Sequence, residues 1–165
     1  MEQGYLIALG GNIRHHRHGA PERVLGAAFR VLAGHPGLRL ERRSPVVRSA
    51  PLGPSRRRYA NAAAIVRSAQ APEELLASLK AVERAFGRRA RGRRWRERVL
   101  DLDIVLWSGG PWATRHLTVP HTAFRTRRFV LHPASAIAGD WRDPLTGLKV
   151  RHLLARLTRP RPTPR

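Results

Sequence analysis

Residues 99–107 read VLDLDIVLW. In an extended chain successive side chains alternate sides, so Asp101 and Asp103 share one face while Leu100, Leu102 and Ile104 share the other. The pattern predicts a strand from Val99 to Trp107 whose apolar face belongs to a core. Two carboxylates about 7 Å apart along a strand can lean together, and two-metal phosphoryl-transfer sites hold their ions roughly 4 Å apart. Oxygen ligands without cysteine favour magnesium, which keeps several waters and shares the rest of its shell with phosphate oxygens. A plainer reading leaves the acids on a solvated face, or has them simply neutralise neighbouring arginines among the seven of GRRARGRRWRER, residues 87–98.

Upstream, YLIAL (5–9) is a short apolar run closed by Gly10-Gly11-Asn12, which reads as a buried strand entering a turn. RHHRH (14–18) reads as a solvated loop. From Pro21 a helix is predicted, with Val24, Leu25, Ala28, Val31 and Leu32 at helical spacing and Gly34 as its stop. Leu38 to Ser49 alternates as a strand, which Pro45 restricts to a sheet edge or a bulge. APLGPSRRR (50–58) is a loop, and Tyr59 to Ser68 a further strand. Pro72, Glu73 and Glu74 open a second helix whose stripe of Leu75, Leu76, Leu79, Val82 and Phe86 ends at Gly87.

Beyond Trp107 the sequence predicts a loop-rich region with a short helix near Ala123. GDWRDPLTG (139–147) then forms a turn before an amphipathic piece from Val150 to Leu157. The order strand, helix, strand, strand, helix, strand is that of an α+β ferredoxin-like sandwich, a mainly antiparallel sheet with helices packed on it. One domain over residues 1–157 is expected, with a basic, proline-rich tail at 158–165 that cannot bury anything.

The chain of 165 residues carries 32 Lys and Arg against 11 Asp and Glu, a formal net charge of +21. Such a field attracts polyanions, whether nucleic acid, an acidic membrane surface or a phosphorylated small molecule. The absence of cysteine removes disulfides and thiolate sites and suits a reducing interior. No apolar run approaches the roughly 20 residues that span a bilayer, and the first apolar piece is too short for a signal-peptide core; a soluble, cytoplasmic monomer is expected. A pure nucleic-acid surface conflicts with acids placed directly after the arginines, because they repel a phosphate backbone. A magnesium-bound nucleotide removes that conflict, since arginines then clamp the remaining phosphate charge. No GxxxxGK[ST] phosphate loop occurs, and the strands lack the aromatic pattern of RNA-recognition sheets.

GGN (10–12), APLGP (50–54), the Tyr-x-Asn of YANAA (59–63), APEELL (71–76), GRRARGRRWRERVLDLDI (87–104), LTVPH (117–121), RRFVLHP (127–133) and PLTG (144–147) follow one another in an order and spacing that resemble the 6-hydroxymethyl-7,8-dihydropterin pyrophosphokinase family. Each motif is weak singly, and the set from Tyr5 to Leu157 is specific. The resemblance implies pyrophosphoryl transfer from ATP to the pterin alcohol in folate synthesis. It implies two magnesium ions on Asp101 and Asp103, with Arg88 and Arg98 approaching the transferred group. Tyr59 and Phe129 would stack on the pterin ring, Asn61 would bond its polar edge, and Ser49, Ala50 and Leu52 would complete the pocket. Glu83, Trp95, Ile104, Thr118, His121 and Arg127 match positions around ATP. The chain's partners would then be ATP and the pterin, with no membrane and with nucleic acid bound only nonspecifically. A related pterin substrate, or an RNA-binding protein of the same shape, is the competing expectation.

Several positions depart from the family pattern. Arg96 and Glu97 replace a proline-containing turn, Ala90 a basic residue, His116 a position often basic, and Gly11 a position often held by serine. Lys80 stands where a neutral polar residue can approach the adenine, and RHHRH matches nothing in the family.

Overall fold

The computed structural model describes residues 1–49, 58–87, 98–160 and 162. Strands β1 (Gln3–Gly11), β2 (Arg39–Arg43), β3 (Val47–Ser49), β4 (Tyr59–Ser68) and β5 (Asp101–Trp107) form one sheet. Its order is β2-β4-β1-β5, with β3 also paired to β4, and every pairing is antiparallel. A separate two-stranded ribbon, β6 (Trp112–Ala113) with β7 (Thr118–Val119), lies beyond β5. Together with helices α1 (Pro21–Gly34) and α2 (Pro72–Ala85) the sheet makes the ferredoxin-like α+β sandwich that the sequence predicts; α3 (Arg128–Ala138) and α4 (Val150–Thr158) are added to it.

β1 is central and buried on both sides, which is why YLIAL is apolar without a break. Tyr5, Ile7 and Leu9 join Val24, Leu25 and Leu32 of α1, Leu75 and Leu79 of α2, and Leu100, Leu102 and Ile104 in one core. Leu6 faces the other way, into a second core with Ala63, Ile65, Val130, Leu131, Ala134, Val150 and Leu153. Helix α1 starts on Pro21, as the sequence predicts. Helix α2 also starts on proline, and Glu74 accepts the Ala71 N–H at 2.8 Å, which is half of a capping box. Gly87 stops it in the left-handed region at φ +93°, donating its N–H to the Arg84 carbonyl.

Five expectations need correction. The predicted strand from Leu38 to Ser49 is two strands, because Pro45 has no N–H to continue the ladder. Ser44 bridges the gap: its N–H donates to the Ala63 carbonyl at 2.9 Å, and its hydroxyl accepts the Ala63 N–H at 2.8 Å. Both pieces pair only with β4, so the edge position is as expected. β5 begins at Asp101 rather than Val99. The chain before it bonds instead to the end of β1, through the Asn12 N–H and the Arg98 carbonyl at 2.9 Å.

The region read as loop-rich contains α3 as well as a 3-10 turn at Phe124–Thr126. Pro133 hides this helix, since an interior proline costs about 3 kcal/mol. Val130, Leu131, Ala134 and Ala138, spaced for one helical face, are buried against the sheet and offset that cost. Helix α4 extends one residue past the predicted end, to Thr158. Of the predicted tail, residues 161 and 163–165 lie outside the described residues. RHHRH is more ordered than a solvated loop: His15 and Gly19 exchange backbone bonds at 2.8 Å, His15 Nδ1 accepts the N–H groups of Arg17 and His18, and the His15 and His18 rings lie against Phe86.

Candidate active site

The two sides of β5 diverge at Val105. Leu6 pairs with Leu106 but Ile7 pairs with Ile104, so Val105 is an extra residue, a bulge in the ladder. On the N-terminal side of the bulge, Asp103 lies opposite Ala8 and Asp101 opposite Gly10. These small neighbours leave room above the strands. The space is a cleft lined by Ala8, Leu9, Gly10, Gly11, Tyr59, Asn61, Arg98, Asp101, Asp103, Arg127, Phe129 and Val130.

Seven residues chosen from the sequence therefore meet in one place: Tyr59, Asn61, Arg98, Asp101, Asp103, Arg127 and Phe129. Tyr59 and Asn61 come from β4, where alternate residues share a face. Asn61 donates from Nδ2 to the Ser49 hydroxyl at 2.7 Å, so Ser49 on β3 orients it from behind. Phe129 stands in the first turn of α3, and the Arg127 guanidinium carbon lies 5.7 Å from its ring centroid. Arg98 enters from the loop before β5. Its N–H donates to Asn12 Oδ1 at 2.8 Å, while its guanidinium donates from Nη1 to Asp101 Oδ2 at 2.6 Å.

Gly11 permits this arrangement, because a Cβ there would collide with the Val99 carbonyl. The departure from serine at this position thus has a local cause: the chain leading into β5 passes against the end of β1.

Burial pushes the Asp103 carboxyl above its ordinary range and the charge of Asp101 adds to the shift, whereas Lys80, His121 and Arg98 pull it back down. Two acids this close in a partly desolvated cleft are an unfavourable arrangement that a cation relieves. The donor set suits magnesium: carboxylate oxygens open to a cleft, with an arginine beside them. Among the described residues no group of three or more His, Cys, Asp or Glu side chains forms a metal cage. The protein would thus contribute carboxylates to an ion whose remaining shell is water and phosphate.

The remaining candidates sit around the cleft. Glu83 is fully buried on α2 behind β5, accepting the Leu102 N–H at 2.7 Å and a bond from Lys80 Nζ at 3.0 Å. Burial raises its carboxyl, against the Leu102 hydrogen bond and the Lys80 charge. Ile104 is 2% exposed in the α1–α2 core. His121 follows Pro120; its N–H donates to the Val105 carbonyl at 3.0 Å, and its Nδ1 accepts the Ala123 N–H at 3.2 Å. Thr118 is exposed on β7. Ala50, Leu52, Arg88 and Trp95, together with the departures at Ala90, Arg96 and Glu97, lie outside the described residues.

Sequence reasoning missed the contribution of Ala8, Gly10 and Val130 to the cleft. The one available signal was the loss of side-chain bulk where YLIAL runs into Gly10-Gly11. It also missed the brace under α3, in which Arg125 donates from Nε and Nη2 to the Asp143 carboxylate at 2.6 and 2.7 Å. Asp143 also accepts the Thr146 hydroxyl at 2.7 Å and the Leu145 N–H at 3.1 Å. Burial alone would raise this carboxyl, but those bonds and the Arg125 charge outweigh it and hold the group at about 2.

Sheet order and cleft together define a ferredoxin-like α+β protein whose sheet carries an acid pair and arginines at one end. The sequence profile of the 7,8-dihydro-6-hydroxymethylpterin-pyrophosphokinase family matches residues 6–139, and the chain belongs to this family. A Synechocystis 2-amino-4-hydroxy-6-hydroxymethyldihydropteridine pyrophosphokinase is 37% identical over 151 residues, covering 92% of this chain and 74% of the relative. The enzyme of that name from Pseudomonas aeruginosa is 37% identical over 156 residues, covering 94% and 92%. Among solved structures, wild-type HPPK-DHPS of Plasmodium falciparum superposes with a TM-score of 0.73 at 10% identity. That match covers 94% of this chain but only 41% of the Plasmodium one, and at such identity it supports the fold alone.

Proposed function

We propose that this chain performs the pyrophosphokinase reaction of its family, transferring the terminal pyrophosphoryl group of ATP to the hydroxymethyl oxygen of 6-hydroxymethyl-7,8-dihydropterin and releasing AMP. The observation that carries the reading is the convergence of Asp101, Asp103, Arg98, Tyr59, Asn61 and Phe129 on one cleft from three separate parts of the chain. A flat heteroaromatic ring needs two faces and a polar edge; Tyr59 and Phe129 provide the faces and Asn61 the edge. Arg98 and Arg127 border the same space and would bind phosphate oxygens, on which charge builds in the transition state.

Asp101 and Asp103 would hold magnesium, which neutralises the triphosphate and favours departure of AMP. The chain's own residues then serve mainly to position: attack by the pterin oxygen on the β-phosphorus must be in line with the bond to AMP. Arg98 is paired to Asp101, so a cation at Asp101 would leave its guanidinium available for phosphate. No general base is assigned. No helix among the described residues is long and apolar enough to cross a membrane.

The test is AMP release measured with ATP, magnesium and the hydroxymethyl pterin, each omitted in turn. Product only when all three are present is the expected result. AMP formation without the pterin, or none with all three, overturns the reading.

A further inference from the structure

Among the described residues β5 is the last strand of the sheet, and no described strand pairs with the edge that faces away from β1. Leu102, the residue between the two acids, directs both its backbone polar groups at α2 instead. Its N–H donates to Glu83 Oε1 at 2.7 Å, and its carbonyl accepts a longer bond from Lys80 Nζ at 3.4 Å. Lys80 Nζ also donates to the same Glu83 oxygen at 3.0 Å, an i, i+3 ion pair on one face of the helix. Glu83 is wholly buried and Lys80 about one-third exposed, so the lysine brings a positive charge to a carboxylate held in the interior. The pair does for Leu102 what a fifth long strand would do: it supplies a donor and an acceptor at the register position between Asp101 and Asp103.

We propose that Lys80 is a positioning residue for the reaction: through Glu83 and the Leu102 backbone it fixes where the strand holds the Asp101 and Asp103 carboxylates, and hence how well they take up magnesium. This rests on the pyrophosphokinase reading of the cleft. A lysine does this where an uncharged side chain does it less well, because it brings both a positive charge to Glu83 and a donor to the Leu102 carbonyl, and a neutral side chain gives up the charge-assisted bond. The departure at position 80 is then part of the metal platform.

The experiment uses the full chain with Lys80→Met, Lys80→Gln and Lys80→Arg. Two quantities are read: Mn²⁺ binding in the presence of ATP, by electron paramagnetic resonance without turnover, and AMP formation against magnesium concentration at saturating substrates. Outer partners of metal ligands typically govern affinity by 10- to 100-fold. Lys80→Met is expected to weaken Mn²⁺ binding and raise the half-saturating magnesium about tenfold, with pterin affinity unchanged within about twofold and Lys80→Arg restoring most of the loss. Lys80→Gln should fall between them, and serves if the methionine variant does not fold. Unaltered Mn²⁺ binding in both neutral variants overturns the proposal, as does an equal loss in Lys80→Arg and Lys80→Met. Absence of AMP from the unsubstituted protein would sink the pyrophosphokinase reading instead, and the Mn²⁺ measurement tells the two failures apart.

Discussion

The two faces of the sheet are built for different ends. The face under α1 and α2 is closed along its whole length, with Tyr5, Ile7 and Leu9 meeting the buried stripes of both helices. Among the described residues the opposite face is closed only at one end, where α3 and α4 cover Leu6, Ile65 and Leu106. At the other end Ala8 and Gly10 carry too little bulk to fill the layer, and the acids and Asn61 stand over the gap. One strand serves both: Leu102 points into the closed core while Asp101 and Asp103 point into the opening. A function is thus placed where packing is given up, next to a face where packing is complete.

This contrast predicts that substitutions sort by face. The largest effect belongs to the open end: Asp103→Ala should lower AMP formation on the order of 10³-fold, since charge stabilisation by a bound metal is worth several kcal/mol. Its melting temperature should not fall, because the variant loses a carboxylate that burial already disfavours. Unfolding of that variant would erase the distinction. On the closed face, Leu79→Ala should cost about 3 kcal/mol in urea unfolding, typical of a fully buried leucine, while the folded fraction keeps its turnover.

The brace at Asp143 ties the covered half of the second face to the turn before α4. Its carboxyl is held at about 2, against an ordinary value of 3.8. A depressed acid contributes its stability in full above the unfolded value and loses it as the pH falls through the folded one. Asp143→Asn should therefore be less stable than the parent by on the order of 2 kcal/mol at neutral pH, with the gap closing between about pH 4 and pH 2. A gap that persists at the acid end would mean that shape, not charge, matters there. The smallest effect is expected at the rim: Arg39→Ala breaks an exposed pair with Glu2 and should change stability by no more than about 0.5 kcal/mol.

Much of this contrast is legible in the residues. The alternation of VLDLDI already separates Asp101 and Asp103 from Leu100, Leu102 and Ile104, and the structure keeps them apart. The stripes of α1 and α2, with their opening prolines and Gly87, mark those helices because local periodicity and caps fix them. Helix α3 escapes that reading, since Pro133 argues locally against a helix that only contact with the sheet makes favourable. The bulge at Val105 escapes it too, because register belongs to a pair of strands and not to either alone.

Sequence by itself therefore determined the strands and helices of the sandwich from β1 to β5, the placement of both acids on one strand face and seven of the residues that line the cleft, through periodicities and motifs that are local in the chain. Tertiary structure decided where these meet, that Glu83 stands behind the strand, and that Lys80 reaches Glu83 and the Leu102 carbonyl. Those facts depend on which strand lies at the sheet edge and which helix covers it, and no run of neighbouring residues carries that information.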